Sequence, residues 1–403
     1  MDGTKSDGPA ACFRLATACC RFPGGARRDA AVIAAARDVQ DWRLFLRIAR
    51  RHRIAALAER ALSAAGVSLP EEIASVLRQR ARAIAQLNLA MAAETARLQG
   101  LLDTAGVPSI ALKGVALAQL AYGSIAIKFS QDIDLAIPPE CRDAAIGLLE
   151  RAGYRLVPAL DRRQRELVAA YGREVALHHP ERPAPVELRW QLVNSPSLLV
   201  GVRATSPHRS VILGDGLTVR TLRDEELFAY LCVHGAGHGW SRLQWLADFN
   251  AFAATQDDVT LLRLYQYAQA IGAGPCAMTA LALCRRLFGR VLPTSIGRDI
   301  DASPRTRLAV AMALGLLTEP DVLSTTGGRR FATTRVALMQ WLFGAGPRHY
   351  ASLVRELCFR LDDMLAWPLP RGLHFLYPLS RLPLWLRRRM APTQRPRRET
   401  GSA

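Results

Sequence analysis

One short segment, Asp132-Ile-Asp-Leu-Ala-Ile137, restricts the possible folds of this chain more than any other. Acidic and apolar residues alternate through it, and two prolines, Pro138 and Pro139, follow directly. This pattern predicts a short β-strand that the prolines end. Because residues two apart on a strand point to the same side, Asp132 and Asp134 should project together from one face while the apolar residues enter the core. The fold must therefore hold two carboxylates side by side on a largely apolar sheet.

These two carboxylates, together with a third acidic residue, indicate a metal site. Like charges close together repel, which raises the pKa of one carboxyl group, and a divalent cation with oxygen ligands removes the repulsion. Glu187 is the third candidate, because Val186-Glu-Leu-Arg-Trp190 alternates in the same way and predicts another strand. We expect Asp132, Asp134 and Glu187 to hold Mg²⁺, with Mn²⁺ as the alternative ion. The competing interpretation, three acids on a solvated sheet face, is disfavoured by the apolar residues around them.

Lysine is rare in this chain, and two lysines lie close to these acids. The 53 basic residues include only three lysines: Lys5, Lys113 and Lys128. Lys113 and Gly114 follow a predicted strand at 107–112 and precede a predicted helix at 115–121. A glycine there lets the backbone approach a ligand closely, and the free N–H groups of a helix start bind anions. The compact ammonium group of Lys113 suits phosphate, so we expect both residues to bind a nucleotide.

Lys128 lies four residues before Asp132 and should reach the same site. It falls in a segment that we expect to be a loop with room around the side chain, so that an arginine would also fit. Lys113, Gly114 and Lys128 would then supply anion-binding groups on one side of the site, opposite the acids. A nucleoside triphosphate with its Mg²⁺ requires this combination.

The pattern along the whole chain predicts an α+β fold. Helical spacing dominates before residue 106 and after residue 223, whereas short strand-like segments lie between them, including a hairpin centred on Gly214-Asp-Gly216. We therefore expect a small mixed sheet with helices, flanked by N- and C-terminal helical regions. The predicted parts are a flexible lead-in at 1–27, with one short helix in it as an alternative, a helical region at 28–105, the sheet-containing core at 106–222, a second helical region at 223–390 and a disordered basic tail at 391–403.

Composition indicates partners and compartment only broadly. The net charge of +18 would suit a nucleotide, a nucleic acid or an acidic membrane surface, but the arginines are spread over all predicted helices, as on ordinary solvated faces. The eight cysteines form no CxxC pair and resemble buried thiols, which favours a reducing compartment. With no recognisable secretory signal and no apolar run of about 18 uncharged residues, a cytoplasmic protein without a transmembrane span is expected.

The C-terminal stretch at 373–390 is apolar and then basic. A segment of this kind can lie on a membrane surface as a peripheral contact. Two internal prolines interrupt a long amphipathic helix, however, so docking onto the protein itself is the favoured interpretation.

Three blocks of the sequence stand out together. They are Leu112-Lys-Gly with Tyr122 and Lys128-Phe-Ser-Gln-Asp-Ile-Asp-Leu135, then Glu187-Leu-Arg-Trp190, and finally His234-Gly-Ala-Gly-His-Gly-Trp-Ser-Arg-Leu-Gln-Trp-Leu-Ala-Asp248. Over about residues 30–255 the chain resembles the uncharacterised nucleotidyltransferase family of the polymerase-β-like superfamily. The resemblance implies a nucleotidyltransferase fold with Asp132, Asp134 and Glu187 as metal ligands. The chain differs from the wider superfamily in having Lys113-Gly114 where Gly-Ser or Gly-Gly is usual, and from the narrower family in having Lys128 where Arg is common.

The third block contains a histidine pair with two interpretations. His234 and His238 would share one helix face, as a metal pair does, but no glutamate follows His234, which disfavours a dedicated zinc site. We expect this segment to pack beside the mouth of the site. His234, His238, Arg242 and Asp248 would then position the nucleotide or the acceptor, or form a buried polar network.

Two functions fit these residues. The first is a metal-dependent nucleotidyltransferase that moves a nucleoside monophosphate from an NTP to an acceptor hydroxyl and releases pyrophosphate. Its acceptor stays open between a small molecule, a peptide, a protein and a tRNA end. The second is a non-catalytic protein on the same fold that binds a nucleotide, a nucleic acid or another partner. The three carboxylates argue against the second function, because a pure anion-binding protein would do better without them.

Overall fold

A seven-stranded mixed sheet forms the centre of the computed structural model, which describes residues 8–214, 216–319 and 334–379. Its strand order is β3-β4-β5-β2-β1-β7-β6. The strands are β1 (Ile110–Ala111), β2 (Ile133–Ala136), β3 (Arg155–Val157), β4 (Glu174–His178), β5 (Val186–Arg189), β6 (His208–Gly214) and β7 (Leu217–Leu222).

The position of β2 in this sheet determines where the acidic residues lie. β2 pairs in antiparallel with β1 on one side and in parallel with β5 on the other. In the β2–β5 pairing, Asp134 lies opposite Glu187 and Leu135 lies opposite Leu188. Leu135 and Leu188 are completely buried, so a shift of one residue would move an acid into the core. The alternation of the two sequences therefore fixes the register that brings Asp134 and Glu187 together.

Helices precede and follow the sheet-forming part of the sequence, and three more lie between its strands. Those before it are α1 (Gly8–Cys19), α2 (Ala26–Arg37), α3 (Trp42–Arg51), α4 (Ala55–Ala64) and α5 (Glu71–Thr104). Between the strands lie α6 (Val115–Tyr122), α7 (Arg142–Arg151) and α8 (Arg162–Tyr171). After the sheet come α9 (Asp224–Gly237), α10 (Leu243–Ala254), α11 (Asp258–Ala270), α12 (Gly274–Phe288), α13 (Thr294–Ala302), α14 (Pro304–Thr318), α15 (334–340), α16 (Pro347–Cys358) and α17 (Leu361–Ala366), with short 3₁₀ helices at Pro139–Cys141 and Arg371–Leu376.

The first described helix corrects the expectation of a loose lead-in. In α1, Cys12, Leu15, Ala16 and Cys19 are almost completely buried. Their spacing of three and four residues places them on one helix face, and small side chains allow that face to pack closely. Residues 8–19 therefore belong to the helical core. The first seven residues of the predicted lead-in lie outside the described part.

Two apolar clusters form the interior. One joins the helices before the sheet to those after it, with Phe45 of α3 in the same cluster as Phe228 and Phe249. The other packs α5 against the sheet, with Leu98 in contact with the cluster that contains Leu135. The helical regions that are separate in sequence thus share one interior, and the domain boundaries at 106 and 222 stay predictions.

The core region follows the predicted order of elements, with a shorter first strand and a longer hairpin. The strand expected at 107–112 is reduced to β1, whereas the helix expected at 115–121 is present as α6. β6 and β7 form the predicted antiparallel hairpin, although Asp215 at its centre lies outside the described residues. The sequence pattern did not predict α8, which begins at a capping box formed by Asp161 and Gln164.

The predicted docking of the C-terminal segment can be followed only in part, because residues 380–403, including the expected tail, lie outside the described residues. Tyr377 is buried in a small cluster with Leu167 and Met364, as docking onto the protein predicts. Phe375 and Leu379 are exposed. In the described part of the chain, no helix is both long and apolar enough to cross a membrane.

The packing of α9 against Trp240, inside the third sequence block, can be tested at Gly235. A Cβ atom at Gly235 would overlap the indole ring of the fully buried Trp240. Gly235→Ala should lower the free energy of unfolding by about 1–3 kcal/mol, the usual cost of overpacking a core, in a urea unfolding experiment. Gly237→Ala is the matched control, since a Cβ at Gly237 meets no atom within 4 Å. Equal stability of both variants would contradict this packing.

Candidate active site

The three acidic residues predicted as metal ligands lie together in the structure. Asp134 is in β2, Glu187 is in the adjacent β5, and Asp132 immediately precedes β2. One oxygen from each carboxylate lies within 4.8 Å of the other two. The side chain of Asp134 is only 1% exposed, whereas those of Asp132 and Glu187 are 26% and 29% exposed. The group therefore has a buried base and an open side.

Lys113 lies directly against this group. Its Nζ atom is 2.7 Å from Oδ2 of Asp134 and 3.3 Å from Oδ1 of Asp132. The residue follows β1, the antiparallel neighbour of β2, which explains the contact. The sequence analysis placed Lys113 on a phosphate side opposite the acids. In the structure it is instead the counterion of two of them, so the two sides are not separate.

Arg189 is the second cation of the site, and the sequence analysis did not identify it. Its guanidinium group forms ion pairs with Asp134 at 3.3 Å, with Glu174 at 2.6 Å and with Glu187. The available signal was its position two residues after Glu187, which puts both side chains on one face of β5. Arg189 therefore links the carboxylate group to Glu174 in β4.

The electrostatics of the group follow from burial and charge. Burial and the negative charge of Asp134 raise the pKa of Glu187 to about 7. Burial and Asp134 also raise the pKa of Asp132. Burial acts in the same direction on Asp134, but the charges of Lys113 and Arg189 outweigh it and hold the pKa of this carboxyl below its usual range. Repulsion between the acids thus raises two of the three pKa values, as the sequence argument predicts.

The chemistry of these groups fits a divalent cation. The three carboxylates and Glu174 face two cationic side chains, Lys113 and Arg189, which leaves two negative charges uncompensated when all the acids are ionised. Oδ2 of Asp134 is buried, and apart from the ammonium group of Lys113 at 2.7 Å it has no polar partner among the described residues. Carboxylate oxygens are the ligands that Mg²⁺ prefers, and one such ion balances the surplus charge.

Lys128 lies in a buried polar network, not in a roomy loop. Only 6% of Lys128 is exposed, and its Nζ atom is 3.7 Å from Oδ2 of Asp248. The hydroxyl of Tyr122 donates to the other oxygen of Asp248 at 2.8 Å. Burial lowers the pKa of Lys128 and raises that of Asp248. The expectation of free space around Lys128 is therefore wrong, because α6 and α10 enclose the side chain through Tyr122 and Asp248.

A small cavity of about 40 Å³ connects the carboxylate group with this network. Six of the residues singled out from the sequence line it: Lys113, Gly114, Lys128, Asp132, His234 and Asp248. Gly114 has a φ angle of +70°, which favours glycine, and a Cβ there would meet nothing within 4 Å. The backbone at the start of α6 is thus open to a ligand, although the cavity itself has room for only a few water molecules.

The histidine pair forms part of an aromatic stack beside the cavity. His234 lies in α9 and His238 caps its end, with their ring centroids 4.7 Å apart. Trp245, which lines the cavity, stacks on His238 at 4.7 Å, and the guanidinium of Arg242 lies 5.5 Å from the Trp245 ring. Burial lowers the pKa of both histidines, to about 4 for His238, so both are neutral at pH 7. Within the described ranges, the pair belongs to no group of three or more His, Cys, Asp or Glu ligands.

Arg53 is a further cation of the cavity that the sequence analysis did not identify. The preceding residue, His52, accepts a hydrogen bond from the backbone N–H of Leu243 at 3.1 Å and so attaches the α3–α4 turn to the start of α10. Arg53 has a φ angle of 58°, lies over the ring of Phe129 and bonds to Gln131. It has no carboxylate partner within ion-pair distance among the described residues. A positive φ angle at an arginine leaves no recognisable pattern in a sequence, so the position of Arg53 could not be predicted.

A mixed sheet with clustered carboxylates on adjacent parallel strands, flanked by helices, defines the core of a polymerase-β-like nucleotidyltransferase. The chain belongs to the uncharacterised nucleotidyltransferase family, whose family model matches residues 38–289. This range covers more than half of the chain and includes all three sequence blocks described above. The protein is therefore an enzyme of the nucleotidyltransferase class. A comparison with curated proteins gave no match.

The Lys128–Asp248 pair can be tested without knowledge of the substrate. Lys128→Met should lower the free energy of unfolding by about 3 kcal/mol, because the buried carboxylate of Asp248 then loses its cation. Lys128→Met combined with Asp248→Asn should recover most of the loss, since no unpaired charge remains. Urea unfolding at pH 7 measures both. Equal destabilisation of the single and double variants would show that the pairing contributes nothing.

Proposed function

We propose that this protein transfers a nucleoside monophosphate from an NTP to a hydroxyl group of an acceptor and releases pyrophosphate, in a metal-dependent reaction. The observation that carries the proposal is the group of three carboxylates, two on adjacent parallel strands and one immediately before β2, with Lys113 and the start of α6 beside it. Membership of a nucleotidyltransferase family supports an NTP as the substrate.

Asp132, Asp134 and Glu187 would hold the metal. We assign Mg²⁺, with Mn²⁺ as the alternative, on the basis of their oxygen ligands and the two uncompensated negative charges. When bound, the metal would neutralise charge on the phosphates and polarise the acceptor hydroxyl. We assign Asp132 and Asp134 to the nucleotide side and Glu187 to the acceptor side, because Lys113 contacts only the two aspartates.

The phosphates would bind where positive groups and free backbone N–H groups meet. Lys113, the N-terminus of α6 at Gly114, and Lys128 line the small cavity, and Arg53 adds a guanidinium without a carboxylate partner among the described residues. Lys113 can contact a phosphate oxygen without leaving the aspartates, because an ammonium group carries three donors. The cavity is too small for a whole nucleotide, so the nucleoside would extend out of it.

In the reaction, the acceptor hydroxyl oxygen forms a bond to the α-phosphorus. The bond between the α-phosphorus and the oxygen bridging to the β-phosphorus breaks, pyrophosphate leaves with the bonding electron pair, and the hydroxyl proton passes to water. The protein contributes mainly by positioning the two substrates and by compensating charge.

The remaining predicted residues would support this arrangement. Asp248 holds Lys128 at the cavity through their ion pair. Trp245 presents a stacked aromatic surface beside the cavity, with His238 on its ring and Arg242 next to it, and a nucleoside base or the acceptor could pack there. His234 has a buried Nε2 atom without a hydrogen-bond partner in the described structure, which a ligand or water would satisfy. The free cysteines fit the proposed cytoplasmic location.

Family membership favours the enzyme, and one observation would fit the alternative, a non-catalytic protein on the same fold that binds a nucleotide or nucleic acid. Lys113 and Arg189 already compensate part of the charge of the acidic group, so the group can exist without a metal. The two functions differ in one measurable product. A parent protein that binds Mg²⁺–NTP but releases no pyrophosphate in the presence of any acceptor fraction would support the alternative.

Asp132→Asn should reduce transfer by about 100-fold or more while the protein stays folded, because Asp132 is partly exposed and has a single ion-pair partner among the described residues. The assay follows label from α-labelled NTPs into acceptor fractions of a cell extract, and pyrophosphate release, with Mg²⁺ or Mn²⁺. Asp143→Asn, which alters an exposed acid of α7, is the control and should keep full activity. Full activity of Asp132→Asn would refute the assignment.

Asp134→Asn should also abolish transfer but destabilise the fold, because Lys113 and Arg189 lose a buried partner.

Lys113→Arg should lose Mg²⁺–ATP and Mg²⁺–GTP affinity by about 10-fold, nearly as much as Lys113→Ala. The compact ammonium group lies between two carboxylates with its side chain only 17% exposed, and a planar guanidinium is too broad for that position. Calorimetric titration of both variants measures the change, and thermal unfolding controls for their stability. If both variants bind like the parent, Lys113 does not contact the phosphates.

A further inference from the structure

A second, much larger cavity of about 720 Å³ lies beside the carboxylate group. Its walls are the end of α8 and the start of β4, the loop that follows β5, and one face of α16 with the turn into α17. Its volume falls in the range of sites that hold small-molecule ligands, about 300–1,000 Å³. We refer to it as the α16 groove.

One face of α16 supplies much of its polar lining. Arg348, Ser352 and Arg355 line the groove, and Phe359 follows at the end of the helix. These residues are spaced by three or four positions, so they lie on the same side of the helix. Arg173 and Arg360 line other parts of the groove. None of its four arginines has an ion-pair partner within 4.0 Å in the described part of the chain.

The acidic residues of the groove compensate these arginines only partly. Glu174 is already paired with Arg189 at 2.6 Å. Glu356 accepts a hydrogen bond from Asn194. Asp362 is the remaining acid of the lining. Arginine side chains without partners in a concave site favour an anion with several acceptor oxygens, such as a phosphate or a carboxylate.

The groove is preformed, because polar contacts hold its opposite walls together. The buried hydroxyl of Ser195, in the loop after β5, bonds to Nδ1 of His349 in α16 at 3.0 Å. The other ring nitrogen of His349 bonds to the backbone carbonyl of Gln340 at 3.0 Å. The Asn194–Glu356 hydrogen bond adds a second link between the same two elements. A ligand would therefore enter the groove without a large ordering cost.

The groove lies next to the acceptor side of the proposed active site. Arg189 contacts Glu174 in the groove lining and, with the same guanidinium group, Glu187 and Asp134 in the carboxylate group. The guanidinium group of Arg189 therefore bridges the groove lining and the carboxylate group. Arg173 of the lining also lies close enough to His238 to contribute, after burial and other charges, to lowering the pKa of that histidine. One end of the groove therefore approaches the mouth of the active site.

We propose that the α16 groove binds the acceptor, and that the acceptor is a low-molecular-weight hydroxyl compound that carries a phosphate or carboxylate group. The anion binds the groove arginines, and the hydroxyl reaches the carboxylate group near Glu187. This proposal rests on the proposed function, because it assigns the second substrate of that reaction. It selects a small anionic acceptor from the classes that the sequence leaves open, and a peptide, a protein or a tRNA end would be contrary to it.

The test uses the full chain saturated with Mg²⁺ and an NTP analogue that cannot release pyrophosphate, so that the nucleotide site is filled. Three probes are titrated by calorimetry: glycerol, glycerol 3-phosphate and glycerate, which differ mainly in their anionic group. Arg348→Gln/Arg355→Gln removes two exposed groove charges. Arg286→Gln/Arg298→Gln removes two exposed arginines from α12 and α13, outside the groove, and is the control with the same change in net charge.

We expect at least one of the two anions to bind at least 10-fold more tightly than glycerol, and a preference between them to identify phosphate or carboxylate as the anchor. The groove variant should weaken that binding about 10-fold or more, and the control by less than twofold. Affinity for the NTP analogue should be unchanged in both. Anion binding no tighter than that of glycerol, or equal binding by groove variant and parent, would overturn the proposal, and so would a loss of nucleotide affinity in the groove variant. Failure of the proposed function would appear separately, as a parent protein that binds Mg²⁺–NTP but releases no pyrophosphate with any acceptor fraction.

Discussion

The parallel pairing of β2 with β5 is the constraint on which the rest of the site depends. It sets Asp134 opposite Glu187 on a sheet whose other residues at this point, Leu135 and Leu188, are completely buried. Two carboxylates held in this way cannot move apart without breaking the apolar register. Their repulsion must therefore be compensated locally, by cations of the protein or by a bound metal. The surrounding chain supplies the first kind of compensation and leaves room for the second.

Two cations compensate the negative charge of the carboxylate group, and each extends from it towards a different part of the protein. Lys113, from the end of β1, contacts the aspartates on the side where α6 begins and the small cavity opens. Arg189, from β5 itself, contacts Asp134 and Glu187 and extends to Glu174 at the wall of the α16 groove. Each cation thus connects the same carboxylates to a different cavity. This division matches a reaction with two substrates, one that brings a triphosphate and one that brings a hydroxyl group.

The sequence predicted the residues of the site that depend on strand alternation. It did not predict those that depend on contacts between segments distant in the sequence. Asp132, Asp134 and Glu187 could be found because a period of two residues is visible in a strand. Arg189 has the same spacing from Glu187, but arginine is so common in this chain that the spacing does not distinguish it from an arginine on a solvated face. The burial of Lys128 could not be predicted, because its partners Tyr122 and Asp248 come from helices that only the fold brings together. The position of Arg53 depends on a turn in which its own φ angle is positive, and the sequence has no pattern from which this turn could be predicted. The packing of α1 into the core was not predicted for a related reason, since its small apolar residues give little periodic contrast.

The rarity of lysine gains a physical meaning from these contacts. Arg189 uses several nitrogens to bind three different carboxylates around a planar group, a task for which lysine has the wrong shape. Lys113 and Lys128 each occupy an enclosed position, at 17% side-chain and 6% residue exposure, where a single compact charge meets one or two carboxylates. Apart from Lys5, which lies outside the described residues, this arginine-rich chain has lysine where the space beside buried acids is small. The choice between the two cations is therefore set by the geometry of the carboxylates, and in this site that geometry follows from the register of β2 and β5.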